Sequence, residues 1–128
     1  MSNLVKDIQE TRVSAQELVN RLFAIVDARN WDDLENVFSP DIIYERPGYA
    51  PLIGYERVQH FYREERVIAS GRHYIDVVIT DEHRGACCGR FIGTHKNKSA
   101  IDERFADMYS FEDGKIKTRT SYFFRPAV

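Results

Sequence analysis

One aspartate, several arginines, two tyrosines and a histidine are spaced along this chain so that strand alternation can gather them in one hollow. Asp107 stands in the run Arg104-Phe105-Ala106-Asp107-Met108-Tyr109-Ser110-Phe111. Successive strand residues point to opposite faces, so Glu103, Phe105, Asp107 and Tyr109 share one side. The same alternation groups Tyr44 with Arg46, Cys88 with Arg90 and Ile92, and Arg119 with Ser121 and Phe123. The expected inward set therefore places Arg46, Arg90 and Arg119 around Asp107, with Phe105 and Phe123 beside them. A carboxylate among guanidinium groups is favoured in its ionised form. Asp107 can then accept a proton, orient a group that does, or act only as a counter-ion. A cross-strand ion pair with Arg90 has the same sequence signature. Arginines beyond those that neutralise it can hold a substrate carboxylate or a forming enolate. Arg46 and Arg119 suit a solvated rim equally well.

Tyr44 and Tyr62 can donate hydrogen bonds to developing negative charge. Tyr62, on an apolar helix face, also suits a core position with one satisfied hydroxyl. His73, at the start of a strand, can face the mouth and exchange protons near neutral pH. His60, His73, His83 and His95 have no metal-ligand spacing, so no metal is expected. Neither a glycine-rich phosphate loop nor a nucleophile elbow is present, and no cofactor is expected. Arg63, Arg66 and Arg72 alternate with Glu64 and Glu65, the pattern of a solvated helix face.

The adjacent Cys87 and Cys88 are poorly placed to bridge each other and suit buried packing, which fits a reducing compartment such as the cytoplasm. A net charge of −2 points away from nucleic acid and anionic membrane as partners. No run is long and apolar enough to span a bilayer. Met1–Glu10 is polar and reads as a lead-in or loose turn rather than a signal peptide. With 128 residues, 43% apolar and 30% charged, the chain suits one domain over residues 1–128 with a real core.

The elements that must position these groups follow from periodicity. Ser14 to Glu17 reads as a capping box. Leu18, Leu22 and Ile25, with Val19, Phe23 and Val26, then give a broad apolar helix face. A short second helix carries Trp31, Leu34, Val37 and Phe38 and stops at Ser39-Pro40. A strand is expected over Asp41–Arg46 and a third helix over Glu56–Ile68, ended by Ser70-Gly71. Four strands follow, over Arg72–Thr80, Ala86–His95, Ile101–Phe111 and Lys115–Arg125, with an Asp113-Gly114 turn before the last. Gly89 and Gly93 allow a bend or bulge. Helices first and a meander last argue an α+β cone: three N-terminal helices on a strongly curved, mostly antiparallel sheet enclosing a pocket. Ile116, Thr118, Thr120 and Tyr122, with Val77 and Ile79, would make a half-apolar convex face suited to a homodimer.

This element order resembles the nuclear-transport-factor-2-like (NTF2-like, cystatin-like) superfamily, and within it the SnoaL-like and ketosteroid-isomerase-like proteins. The resemblance runs from about Ser14 to Phe124. It is carried by Ala28-Arg29-Asn30-Trp31-Asp32-Asp33-Leu34, Phe38-Ser39-Pro40-Asp41, Arg46-Pro47 with Gly54 and Phe61-Tyr62, Phe91-Ile92-Gly93-Thr94-His95, and Arg104 to Ile116. It implies a small-molecule pocket. The ketosteroid-isomerase pattern places its carboxylate base at Arg46 and its oxyanion tyrosine at Leu22, neither of which fits. It places its second acid at Asp107 and a supporting tyrosine at Tyr62, both of which fit. An arginine–aspartate arrangement is also similar to limonene-type epoxide hydrolases, although their full set of acids is absent. The expected function is a cofactor-independent isomerase, lyase or cyclase acting on a small, partly hydrophobic molecule. The site would comprise Asp107, Arg46, Tyr62 and His73, with Tyr44, Arg90, Arg119, Phe105, Phe123 and Leu22 against the substrate. The alternative is a non-catalytic ligand-binding or dimeric scaffold protein.

Overall fold

The computed structural model describes residues 13–125; the lead-in expected over Met1–Glu10 lies outside them. Helix α1 spans Ala15–Ala28, and the Ser14 hydroxyl accepts the Glu17 amide at 3.1 Å, satisfying a donor that the first turn leaves unpaired. Arg29 ends the helix in a left-handed conformation at φ 60°. Its guanidinium donates to the carbonyls of Ile68 and Ala69 at 3.2 and 2.9 Å, tying the helix end to a distant strand. Leu18, Val19, Leu22, Phe23 and Val26 form the buried face. A 3₁₀ segment over Trp31–Asn36 stands where a short helix is expected.

Strand β1 (Phe38–Glu45) starts earlier than the sequence suggests, and a two-residue strand β2 (Leu52–Ile53) lies in the Pro/Gly loop. Helix α2 (Tyr55–His60) widens into a π-helical turn over Phe61–Glu65. The helix expected to reach Ile68 therefore stops short. The Arg66 amide closes the wide turn onto the Phe61 carbonyl at 2.8 Å, and Arg66 itself is extended. Strand β3 (Ile68–Thr80) runs straight through Ser70-Gly71, the expected helix stop. Gly71 is needed there for packing: a Cβ would lie 2.1 Å from the Phe91 ring.

Strands β4 (Arg84–His95), β5 (Ala100–Glu112) and β6 (Lys115–Phe123) complete one sheet in the order β2-β1-β6-β5-β4-β3. Only the β1–β6 contact is parallel. Asp113 and Gly114 both have positive φ, 53° and 73°, as a tight Asp-Gly hairpin turn requires. The register shifts on β3 fall at Ile68/Ser70 and Ile75/Val77, so the extra residues are on β3 and not on the glycine-bearing β4.

On β5 the buried residues alternate as Ile101, Glu103, Phe105, Asp107, Tyr109 and Phe111. The β4 alternation is one residue out from the sequence expectation. Cys87, Gly89 and Phe91 face inward, whereas Arg90 and Ile92 are exposed. The hairpin pairs Thr94 with Ala100, which brings Cys87 opposite Asp107 and Arg90 opposite Arg104. Ile116 is also buried rather than convex, because the Ser110/Phe111 irregularity skips Lys117 and reverses the alternation there. Tyr122, Val77 and Ile79 are exposed on their strands. Among the described residues, no helix is long and apolar enough to cross a membrane.

Candidate functional site

Between α1, the π turn and the curved sheet lies a narrow cavity of about 30 Å³. That volume holds about one or two water molecules. Its wall combines polar groups (Tyr44, Arg46, Tyr62, Arg66, His73, Glu103, Asp107, Arg119, Ser121) with apolar ones (Val26, Ile68, Phe91, Phe105, Phe123).

Asp107 organises the sheet side. Its Oδ2 accepts from Tyr109 Oη at 2.8 Å and from Arg119 Nε and Nη2, each at 3.0 Å; its Oδ1 accepts from Ser121 Oγ at 2.7 Å. The carboxylate is fully buried, and both of its oxygens accept from side-chain donors. Because Ser121 gives its proton to Asp107, the 2.9 Å contact between Tyr44 Oη and Ser121 Oγ has Tyr44 as donor. Arg46 Nη1 in turn donates to Tyr44 Oη at 3.3 Å, while its guanidinium lies 4.9 Å from the Phe61 ring centre and 5.4 Å from that of Phe123. Burial alone would raise the Tyr44 phenol, but the positive fields of Arg119 and Arg46 bring it below its ordinary value.

Arg119 Nη1 donates to Tyr62 Oη at 2.7 Å. Tyr62 thus receives a charge-assisted hydrogen bond on its oxygen, and its own proton is left to donate elsewhere. Burial, opposed by Arg119, holds this phenol above its ordinary value, so it stays a neutral donor. Burial is the largest single influence and tends to discharge Arg119, but Asp107 together with Tyr44, Tyr62 and Tyr109 outweighs it and holds the cation well above the ordinary range.

The helix side contributes a second unit. Asp27 Oδ2 accepts the His73 amide at 2.9 Å, and Asp27 Oδ1 lies 2.5 Å from His73 Nδ1. Phe23, Phe91 and Phe105 enclose the imidazole with ring centres at 4.6, 4.6 and 5.4 Å. Burial pushes the imidazole below its ordinary value, against the pull of Asp27. At neutral pH the ring is neutral, Nδ1–H donates to Asp27, and Nε2 carries a lone pair. The lowered value has a consequence for stability. The unfolded chain protonates His73 first as pH falls below about 6.5, so folding stability declines on that side. His73→Phe should flatten the dependence of the urea midpoint on pH between about 6.5 and 5; an unchanged slope would contradict the assignment.

Arg66 is the third element, and it corrects the expectation that it lies on a solvated helix face with Arg63 and Arg72. It is 5% exposed and lines the cavity, with its guanidinium 5.7, 5.8 and 5.9 Å from the ring centres of Tyr62, Phe91 and Trp31. Burial lowers it to about 10. Its neighbours Arg63, paired with Asp32, and Arg72, over Tyr74, remain on the surface as expected. The π turn ends at Arg66, whose extended backbone sets the side chain against these rings. Asp27 was missed as well, although it falls four residues after Phe23 on the buried helix face, where a carboxylate needs a partner.

Of the residues singled out from sequence, the cavity brings together Asp107, Arg46, Tyr62, His73, Tyr44, Arg119, Phe105 and Phe123. Arg90 is corrected: it sits on the outer face and pairs with Asp102 at 3.1 Å, so it forms no pair with Asp107. Leu22 is fully buried in the core and does not line the cavity. Cys87 is buried with its Sγ 3.5 Å from Tyr109 Oη, and burial raises its thiol to about 11. Among the described residues, no three His, Cys, Asp or Glu side chains are gathered as metal ligands.

A curved sheet closed by helices around a polar cavity is the NTF2-like fold, and the chain shares it with many solved proteins. It belongs to the SnoaL-like domain family, whose profile matches residues 19–119. No curated protein matches it in sequence. An NTF2-like protein of unknown function from Burkholderia pseudomallei is 21% identical over 84% of this chain and 88% of its own, with a TM-score of 0.77. A protein from Catenulispora acidiphila with a ketosteroid isomerase-like fold, in complex with trimethylamine, is 17% identical over 86% of each chain, with a TM-score of 0.75. An epoxide hydrolase of the LEH-like kind from Mycobacterium tuberculosis is 15% identical over 83% of this chain and 79% of its own, with a TM-score of 0.72. These likenesses establish a common fold.

Proposed function

We propose that this protein is a cofactor-independent enzyme that moves a proton on a small carbonyl compound, giving isomerisation or cyclisation. The observation that carries the reading is His73, held by Asp27, which lines the same cavity as Tyr62, whose oxygen accepts from Arg119. His73 Nε2 takes a proton from the carbon next to a carbonyl, and the C–H electron pair moves to the carbonyl oxygen. Tyr62 donates to that oxygen as it becomes anionic. Asp27 stabilises the imidazolium that forms. The imidazolium then returns the proton at another carbon, or the enolate carbon attacks a second carbonyl and the new alkoxide is protonated. Asp107 orients rather than reacts: it fixes Arg119 and Ser121, and through them Tyr62 and Tyr44.

The small cavity favours a second reading, a non-catalytic pocket protein in which the same groups are a packed polar core. The two readings differ in one measurement. In D₂O, NMR follows exchange of the α protons of cyclohex-3-enone and of a 1,3-diketone. His73→Gln, which keeps polarity but has no base, should slow exchange by about 100-fold or more. Tyr62→Phe should slow it by roughly 10–100-fold. Exchange by His73→Gln at the wild-type rate, with a wild-type melting curve, excludes His73 as the base.

A further inference from the structure

Arg66 has no anion. Arg119, held as deep, pairs with Asp107 through two nitrogens, and the buried carboxylate Glu103 pairs with Arg125. For Arg66, no carboxylate lies within ion-pair distance among the described residues, and Nε has no hydrogen-bond partner. Its surroundings are the faces of Trp31, Tyr62 and Phe91. Ring faces attract a cation but do not satisfy N–H donors aimed past them. A guanidinium taken out of water is stable only when its donors and charge are met.

We propose that the cavity takes an organic anion, a small carboxylate or an enolised acid with an apolar body, whose oxygens pair with the Arg66 guanidinium. The planar fork of donors matches two oxygens of a carboxylate. The carboxylate takes the water-sized space at the guanidinium, and Ile68, Phe91 and Phe105, on the same wall, move apart to receive the apolar part. His73 lies on that wall too, so the proposed base and the Arg66 anchor border one space. This inference rests on the cavity being the substrate site described above.

Benzoate and its neutral isostere benzamide separate charge recognition from shape, with acetate as the smallest anion. Calorimetric titration of the wild-type protein should show benzoate at least tenfold tighter than benzamide. Arg66→Met should erase that preference, and Arg66→Lys should keep part of it. Methionine replaces the buried cation by a side chain that needs no partner, so this variant is expected to fold, and its melting curve checks that. Equal affinity for benzoate and benzamide, failure of both anions to bind, or undiminished benzoate preference in Arg66→Met each overturns the proposal. The titration needs no turnover, so the two ideas fail separately. His73-dependent exchange without anion preference leaves the proton-transfer reading standing. Anion preference lost in Arg66→Met but indifferent to His73→Gln leaves only an anion-binding pocket.

Discussion

Asp107→Ala is expected to lower the unfolding free energy by roughly 3–5 kcal/mol, the usual consequence of leaving a buried charge without its partner. Arg119 would stay buried with both of its carboxylate contacts gone, and Ser121 and Tyr109 would each lose the acceptor for their hydroxyl proton. Asp107→Asn should cost less, roughly 1–3 kcal/mol. Its carbonyl can take the Oδ2 position and keep Tyr109 and Arg119 as donors. Its amide would then face Ser121 Oγ, which can rotate its proton toward Tyr44 Oη, 2.9 Å away. Urea denaturation followed by circular dichroism gives both values. The order Ala worse than Asn worse than wild type is the expected result. Equal losses, or an alanine variant as stable as the parent, would show that the charge is not held by this network.

Gly89→Ala should be nearly as damaging, at about 3 kcal/mol, the upper range for overpacking. A Cβ at this position would lie 2.1 Å from the Tyr74 carbonyl oxygen and 3.0 Å from the Ile75 Cα. Both are backbone atoms, so no side chain can move aside. Strand β3 would have to lift where its register shifts, directly after His73. The same substitution should therefore weaken the Asp27–His73 contact, visible as loss of the pH dependence that His73 confers. Gly114→Ala is the control. It meets nothing within 4 Å and carries only the penalty of a left-handed turn, about 1 kcal/mol. If the two alanines cost the same, close approach of β3 is not what Gly89 serves.

The elements that periodicity can mark were legible. A capping serine, two interleaved apolar repeats and an Asp-Gly turn are local signals, and α1 and the β5–β6 hairpin follow them. Alternation on β5 likewise placed Glu103, Phe105, Asp107 and Tyr109 on one side, because all of its aromatic residues fall on that parity. Strand β4 offered no such asymmetry. Cys87 and Phe91 on one parity compete with Cys88 and Ile92 on the other, and only the hairpin register chose between them. Arg90 was misplaced for that reason. Arg66 was hidden by a different ambiguity: a charge run beside an apolar helix face reads as solvated until one knows that the helix widens before it.

From its residues alone, this protein is an α+β member of a pocket-forming family with Asp107, Tyr44 and Tyr62 as candidates for one hollow. Local periodicity and motif order carry that much, because they depend on near neighbours in the chain. Which groups meet was decided by contacts between distant segments. The β5–β6 register brought Arg119 to Asp107, the bulged strand β3 brought His73 to Asp27, and the π turn after α2 brought Arg66 beneath the rings. Each depends on one residue more or less in a strand or turn, and a shift that small reverses the face a side chain meets.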